Sequence, residues 1–199
     1  MLKKIIAITL CLAFVCFVGC KKTDNTSSTV ESVPEVIVEE EKFAINPLTG
    51  VENLDPAALN NRPVAVMVNN ISACRPQSGL SQASILIETK VEGGITRFVA
   101  LFEDYKNLED VGPVRSGRDQ FWQLVMPYDV LYCHIGRSAI TQTYIDTFEY
   151  NDRDLDGNSL GFIYRRNRPG KATEHTAYTN SELLQAAIDK GGYDMNFTY

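Results

Sequence analysis

Two apolar runs on either side of a glycine pair set the strongest limit on this chain's fold. Ile85–Val91 and Thr96–Phe102 carry β-branched and aromatic side chains, and Gly93-Gly94 lies between them. Glycines at that place supply the positive φ of a tight turn, so the stretch reads as an antiparallel hairpin. If Glu92 faces Ile95, then Lys90 opposes Arg97 and Thr89 opposes Phe98. The core face is then Ile85, Ile87, Thr89, Val91, Phe98, Ala100 and Phe102. On the other face, the Arg97–Lys90 repulsion needs a diagonal carboxylate, which Glu88 and Glu92 supply.

Around the hairpin the pattern alternates between strands and helices. Pro63–Val68 and Val130–Ile135 are nearly all apolar, as in strands buried on both faces. Gly112-Pro113 breaks the chain, and a helix is expected from Ser116 to about Met126. Ser116 and Asp119 would form its capping box, and Pro127 would stop it. Ala139–Phe148 reads as a second helix and Gly161–Arg165 as a further strand. Thr179 and Glu182 form another capping box, for a helix Ser181–Lys190 that ends at Gly191-Gly192. The expected fold is α+β, a mixed and mainly antiparallel sheet with packed helices.

The chain of 199 residues divides before this domain begins. Residues 1–20 hold a basic start at Lys3 and Lys4, an uncharged run from Ile5 to Val18, and then Gly19-Cys20. That run is too short to cross ~30 Å of hydrocarbon comfortably but fits the apolar region of an export signal. The ending Phe-Val-Gly-Cys resembles the lipobox of bacterial lipoproteins, which implies cleavage before Cys20 and lipid on its sulfur and new amino group. Residues 21–42 are rich in Ser, Thr, Pro and Glu and read as a flexible acidic tether, with one apolar patch at Val36–Val38. Residues 43–199 form the domain. With a net charge of -6, the chain has no footprint for nucleic acid.

Five cysteines are too few for a disulfide scaffold, and only Cys74 and Cys133 fall in the domain. Whether they bridge stays open. Cys133 and His134 are neighbours in a strand, so their side chains point to opposite faces and do not form a nucleophilic pair.

The chemistry-bearing stretches are basic. In VGPVRSGRD, Arg115 and Arg118 bracket the expected helix start, where the Ser116, Gly117 and Arg118 amides would face an anion. Gly117 would let another group approach the backbone closely. An Arg–Asp capping network is the competing expectation. In FIYRRNRPGKATEH, Arg165, Arg166, Arg168 and Lys171 precede Glu174 and His175, beside a Pro169-Gly170 turn. Local positive charge in an acidic domain points to an anionic partner, the alternative being a solvated loop paired with Asp152, Asp154 and Asp156. The candidate ligand set is therefore Arg97, Arg115, Ser116, Gly117, Arg118, Arg165, Arg168 and His175. Asp152-x-Asp154-x-Asp156-Gly157 matches the first half of a calcium loop, but Ile163 stands where the bidentate Glu is needed. An acidic turn is expected there, with a calcium ion as the alternative. No phosphate loop, dinucleotide fingerprint, H-E-x-x-H or G-x-S-x-G occurs in the chain, so no familiar catalytic signature is available.

The runs NPLTG (46–50), RPVAVMVNN (62–70), RPQSGLSQA (75–83), VEGGITRFVALF (91–102) and VGPVRSGRD (111–119), with the later R-x-x-R…H…YT pattern, are similar to the YerB-like lipoproteins of Gram-positive bacteria. That family is of unknown function. The resemblance covers roughly residues 43–182 and implies a mixed α+β domain, a lipid anchor at Cys20 and a second C-terminal domain beyond this chain. The family's late Pro-His-Asn-x-Tyr-Thr motif reads Glu174-His175-Thr176-Ala177-Tyr178-Thr179 here. Function is then expected at the outer face of the cell membrane. The leading expectation is binding of an anionic envelope polymer or lipid-linked phosphate. The rival is a protein-interaction module whose partner is another envelope protein. A third is phosphoryl transfer to a wall glycan, with Asp119 or Asp129 holding a metal.

Overall fold

In the computed structural model, residues 42–197 are described. The leader, the tether and the Val36–Val38 patch lie outside them. Chain order runs β1 (Ala44–Ile45), β2 (Glu52–Leu54), β3 (Val64–Asn69), β4 (Ile85–Lys90), β5 (Thr96–Phe102), α1 (Asp119–Val125) and β6 (Leu131–His134). It continues with α2 (Ala139–Phe148), β7 (Asp154–Asp156), α3 (Gly157–Leu160), β8 (Tyr164–Arg165), β9 (Ala177–Tyr178) and α4 (Ser181–Gly191). The main sheet has the order β4-β5-β3-β6-β7, and β1-β2 and β8-β9 are separate pairs.

β3 is the centre of the molecule. All six of its residues, VAVMVN, are buried. It runs antiparallel to β5 and parallel to β6, which in turn runs parallel to β7. The small pairs and the β4–β5 hairpin are antiparallel, so antiparallel pairing predominates over the three sheets. The α+β expectation holds.

Period-two alternation sends neighbouring β3 side chains to different helical layers. Ala65 and Met67 pack with Phe121, Trp122 and Val125 of α1 and Ile145 of α2. Val64, Val66 and Val68 pack with Leu184, Ala187 and Ile188 of α4 and with Phe162. Trp122 meets the Tyr132 ring edge-on at 4.8 Å and stacks on Tyr150 at 5.7 Å, which fixes α1 against β6.

Four local expectations are corrected. The hairpin is one residue out of the expected register. Lys90 pairs with Thr96, and Thr89 with Arg97. The cause is the turn, where Gly93 and Gly94 both take positive φ near 71° and Val91 N–H donates to Ile95 O at 2.9 Å. A slip of one changes every partner, so Ile85 and Ile87 share a face with Val99 and Leu101, and Arg97 joins that face. Second, α1 begins at Asp119 with Arg118 as N-cap and no side-chain cap, so Ser116 and Asp119 form no capping box. Third, Asn180 caps α4 by accepting from Leu183 N–H, while the Thr179 hydroxyl donates to Phe162 O at 2.7 Å. The expected strand at Gly161–Arg165 keeps only Tyr164 and Arg165.

The α4 cap gives a direct check. Asn180→Ala is expected to cost about 1 kcal/mol in chemical denaturation, whereas Glu182→Gln stays within about 0.5 kcal/mol. A larger loss from the Glu182 change would restore the capping box.

Candidate functional site

The carboxyl ends of the parallel strands β3, β6 and β7 point the same way, toward the amino end of β5. Crevices at such ends are where open sheets with parallel strands gather ligands. Here the gap between β3 and β6 is filled by Pro113–Gly117. Asn69 N–H donates to Pro113 O and Arg115 N–H to Met67 O, each at 2.9 Å. Ile135 N–H then donates to Arg115 O at 3.1 Å and Gly117 N–H to Gly136 O at 2.9 Å. This strap carries Arg115, Ser116, Gly117 and Arg118 across the sheet end.

The strap's amides differ from the expected anion cradle. The Gly117 amide is spent on Gly136, and α1 has only seven residues. The close approach that Gly117 allows is taken by the protein itself. A Cβ there would lie 3.1 Å from the His134 ring and 3.2 Å from Tyr132. The positive charge therefore resides in the guanidinium groups.

Arg97 is the unusual one. It is 5% exposed, its Nη1 donates to Ser116 O at 2.5 Å, and its Nε has no partner. Among the described residues no carboxylate pairs with it. Burial first, and then the like charges of Arg118 and Arg115, push its pKa down to about 10. The Glu92 carboxylate opposes that shift only in part.

The other expected residues fall into two groups. Arg118 lies with Arg97, donating from Nε to Glu92 at 2.6 Å and from Nη1 to Gly117 O at 2.8 Å. Burial opposes it, but the Arg118 hydrogen bond dominates and holds the Glu92 carboxyl below its usual range. Arg115 and Arg165 share a cavity of about 260 Å3 with Glu174, floored by Val114 and Ile135. Arg115 pairs with Glu174 at 2.7 Å, and Arg165 donates to Thr173 O at 2.7 Å. His175 is buried beside them, with Nδ1 3.2 Å from the Asn69 amide nitrogen and Nε2 3.5 Å from Glu174. Arg168 does not join either group. It clamps the 71–77 loop, donating to Cys74 O and His175 O at 2.8 Å and to Pro76 O at 3.1 Å.

Lys171 and Arg75 complete this end of the molecule. Lys171 donates to Ala73 O at 2.7 Å, and Arg75 to the Asn70 side chain at 3.2 Å. Of Arg75, Arg97, Arg115, Arg118, Arg165, Arg168 and Lys171, only Arg115 and Arg118 form ion pairs among the described residues, with Glu174 and Glu92.

The acidic turn is internally neutralised. Asp152 pairs with Arg153 at 2.5 Å, and Asp156 with Arg137 at 3.2 Å. Asp154 pairs with Arg137 and takes His134 Nε2 at 2.7 Å. The three carboxylates do not converge, and among the described residues no group of three acidic, His or Cys side chains is placed to hold a metal ion. Asp129, a candidate metal ligand, instead bridges Arg62 at 3.0 Å and Arg153 at 2.7 Å. Cys74 and Cys133 are both buried and free. The sequence reading left out Asn69, Asn70 and Arg75.

If Arg97 carries uncompensated charge, its removal relieves the fold. Arg97→Met keeps the methylene stem and is expected to leave the ligand-free melting temperature unchanged or raised. A fall of more than about 4 °C, near 1 kcal/mol or more, would make the Arg97–Ser116 contact structural instead.

Residues 48–194 match the family model described as "Protein of unknown function (DUF3048) N-terminal domain", and the chain belongs to that family. It is 35% identical over 189 residues to a Bacillus subtilis (strain 168) protein named "Putative lipoprotein YerB", covering 94% of this chain and 52% of that protein. A crystal structure of YerB protein from Bacillus subtilis superposes with a TM-score of 0.66 at 34% identity, over 77% of this chain and 52% of that one. The chain spans about half the length of these relatives, and the YerB-like resemblance is borne out.

Proposed function

We propose that this member of the DUF3048 family is a lipid-anchored domain of the cell envelope that holds an anionic ligand, a phosphate or a carboxylate, at the basic end of its sheet. One observation carries the reading: the Arg97 guanidinium is buried, forms no ion pair among the described residues and feels the like charges of Arg118 and Arg115. Desolvating a charge without a counter-charge costs several kcal/mol. A bound anion offsets that cost only while it is present, which is what a binding site requires. Arg115 and Arg165 extend the positive field along the sheet end, with Glu174 as a carboxylate that an incoming anion displaces from Arg115. Anionic wall polymers and lipid-linked phosphates have suitable chemistry.

The anchor rests on the Phe-Val-Gly-Cys ending at Cys20 and on the name of the Bacillus subtilis relative. Acyl chains contribute roughly 0.8 kcal/mol per buried CH₂, so a multiply acylated Cys20 holds firmly to a bilayer. Cys20→Ala is expected to move the protein out of the membrane fraction. Unchanged fractionation of that variant would remove the anchor from the proposal.

A second reading, a protein-interaction module, has its own support. Ile140 and Phe148 of α2 are 69% and 52% exposed and line an open cavity with Tyr144. The two readings separate on inorganic phosphate and pyrophosphate. Ligand at ten times its Kd is expected to raise the melting temperature by about 3–6 °C. The shift should vanish in Arg97→Met combined with Arg115→Met. No shift in the wild-type protein at tens of millimolar, beyond that given by chloride at equal ionic strength, would leave the interaction module as the better account.

A further inference from the structure

At the opposite end of β5 from Arg97 lies a buried carboxylate with no counter-charge among the described residues. Glu103 follows directly on β5 and is 1% exposed. Its Oε2 accepts from the Ser84 hydroxyl, which in turn accepts from Asn46 Nδ2 at 2.9 Å. Its Oε1 has no partner. Glu103 lines a cavity of about 200 Å3 together with Asn46, Ser84, Gln82, Asp55 and Asp104. Among the described residues no Lys, Arg or His side chain lines that cavity.

The neighbouring groups are already engaged. Asp55 accepts from Ala57 N–H at 2.8 Å, and Asp104 takes the Asn107 amide at 2.9 Å on both oxygens. The Asn46 carbonyl oxygen caps Leu48 N–H at 2.9 Å, and Gln82 Oε1 accepts from Glu109 N–H at 3.3 Å. The Lys106 ammonium is directed elsewhere, to Asn61 Oδ1 at 3.2 Å. The cavity therefore has at its wall a buried carboxylate with one unpartnered oxygen, neutral side-chain oxygens, and two further carboxylates.

We propose that this cavity is a seat for a primary ammonium group. An ammonium is a compact monocation with three donors, which matches one unpartnered carboxylate oxygen supplemented by neutral oxygens. A divalent metal fits less well, because no three acidic groups converge among the described residues. A buried acceptor left without a donor is costly, and an ammonium supplies the donor and the counter-charge together. The ammonium comes either from a small amine, such as an amino sugar, or from a lysine side chain of a protein partner. This site is independent of the anion site, since Arg97 and Glu103 are separated by about 20 Å of extended strand.

The test uses methylammonium chloride and glucosamine against the domain, with sodium and calcium chloride at matched ionic strength as controls. Amide nitrogen–proton spectra and thermal melting are both read. Methylammonium is expected to give a saturable shift of the Ser84 and Glu103 amide signals and a rise in melting temperature, neither reproduced by sodium. A glucosamine response of equal or greater affinity assigns the seat to a small amine. A response to methylammonium alone assigns it to a lysine tip. Glu103→Gln should abolish the response. If that variant fails to fold, Asp55→Asn at the wall is expected to weaken methylammonium binding by about threefold through lost attraction. Absence of a saturable response in the wild-type protein, a response to calcium alone, or an unchanged response in folded Glu103→Gln would overturn the proposal.

Discussion

β3 takes up all of its surroundings, and that constraint shapes the molecule. Its residues are buried, β5 and β6 occupy its two edges, and helical layers cover both faces. A strand enclosed in this way leaves no lateral place for polar chemistry, so charge is driven to the two ends of the sheet. Asn69 and Asn70 mark the point where the apolar run stops. The strap Pro113–Gly117 then closes the carboxyl end by pairing with both β3 and β6. Without it, the carbonyls at the ends of these strands would be buried without donors.

The strap also accounts for the distribution of charge. It brings Arg115 and Arg118 to the end where β5 delivers Arg97 and the 165–171 loop delivers Arg165, Arg168 and Lys171. At the other end of β5 the lining of the cavity is acidic and amide-rich. Two buried groups without an ion-pair partner among the described residues, Arg97 and Glu103, lie at the two ends of β5, too far apart to neutralise each other. Had the fold been selected for stability alone, either would be expected to carry a partner, as Arg62, Arg137, Arg153 and Arg166 do.

Architecture was more legible in the sequence than the site. α2 emerged with its expected bounds, and β3 and β6 to within a residue at either end, because long apolar or amphipathic runs report burial directly. The hairpin was legible in kind but not in register. Whether a glycine pair closes a shorter or longer loop depends on backbone angles that spacing does not specify, and here both glycines adopt positive φ. That one-residue slip decided the fate of Arg97, which moved from a cross-strand conflict with Lys90 to the end of the α1 face. The Ser116 cap failed for a tertiary reason. Its segment is drawn into the strap between β3 and β6, so helical geometry cannot begin until Asp119.

The arginine groups illustrate what local composition cannot specify. Arg165, Arg166 and Arg168 are nearly adjacent, yet each does something different. Arg165 faces the cavity of Arg115, while Arg166 pairs with Asp110 and stacks on Tyr178 at 3.8 Å. Arg168 holds three backbone carbonyls of distant segments. Alternation along a short strand and a turn at Pro169-Gly170 separate them. A cluster of like residues in sequence is therefore a statement about local potential, not about a shared task. The residue that carries the anion reading comes from a different strand, and what distinguishes it is the lack of a carboxylate that its neighbours Arg115 and Arg118 both possess.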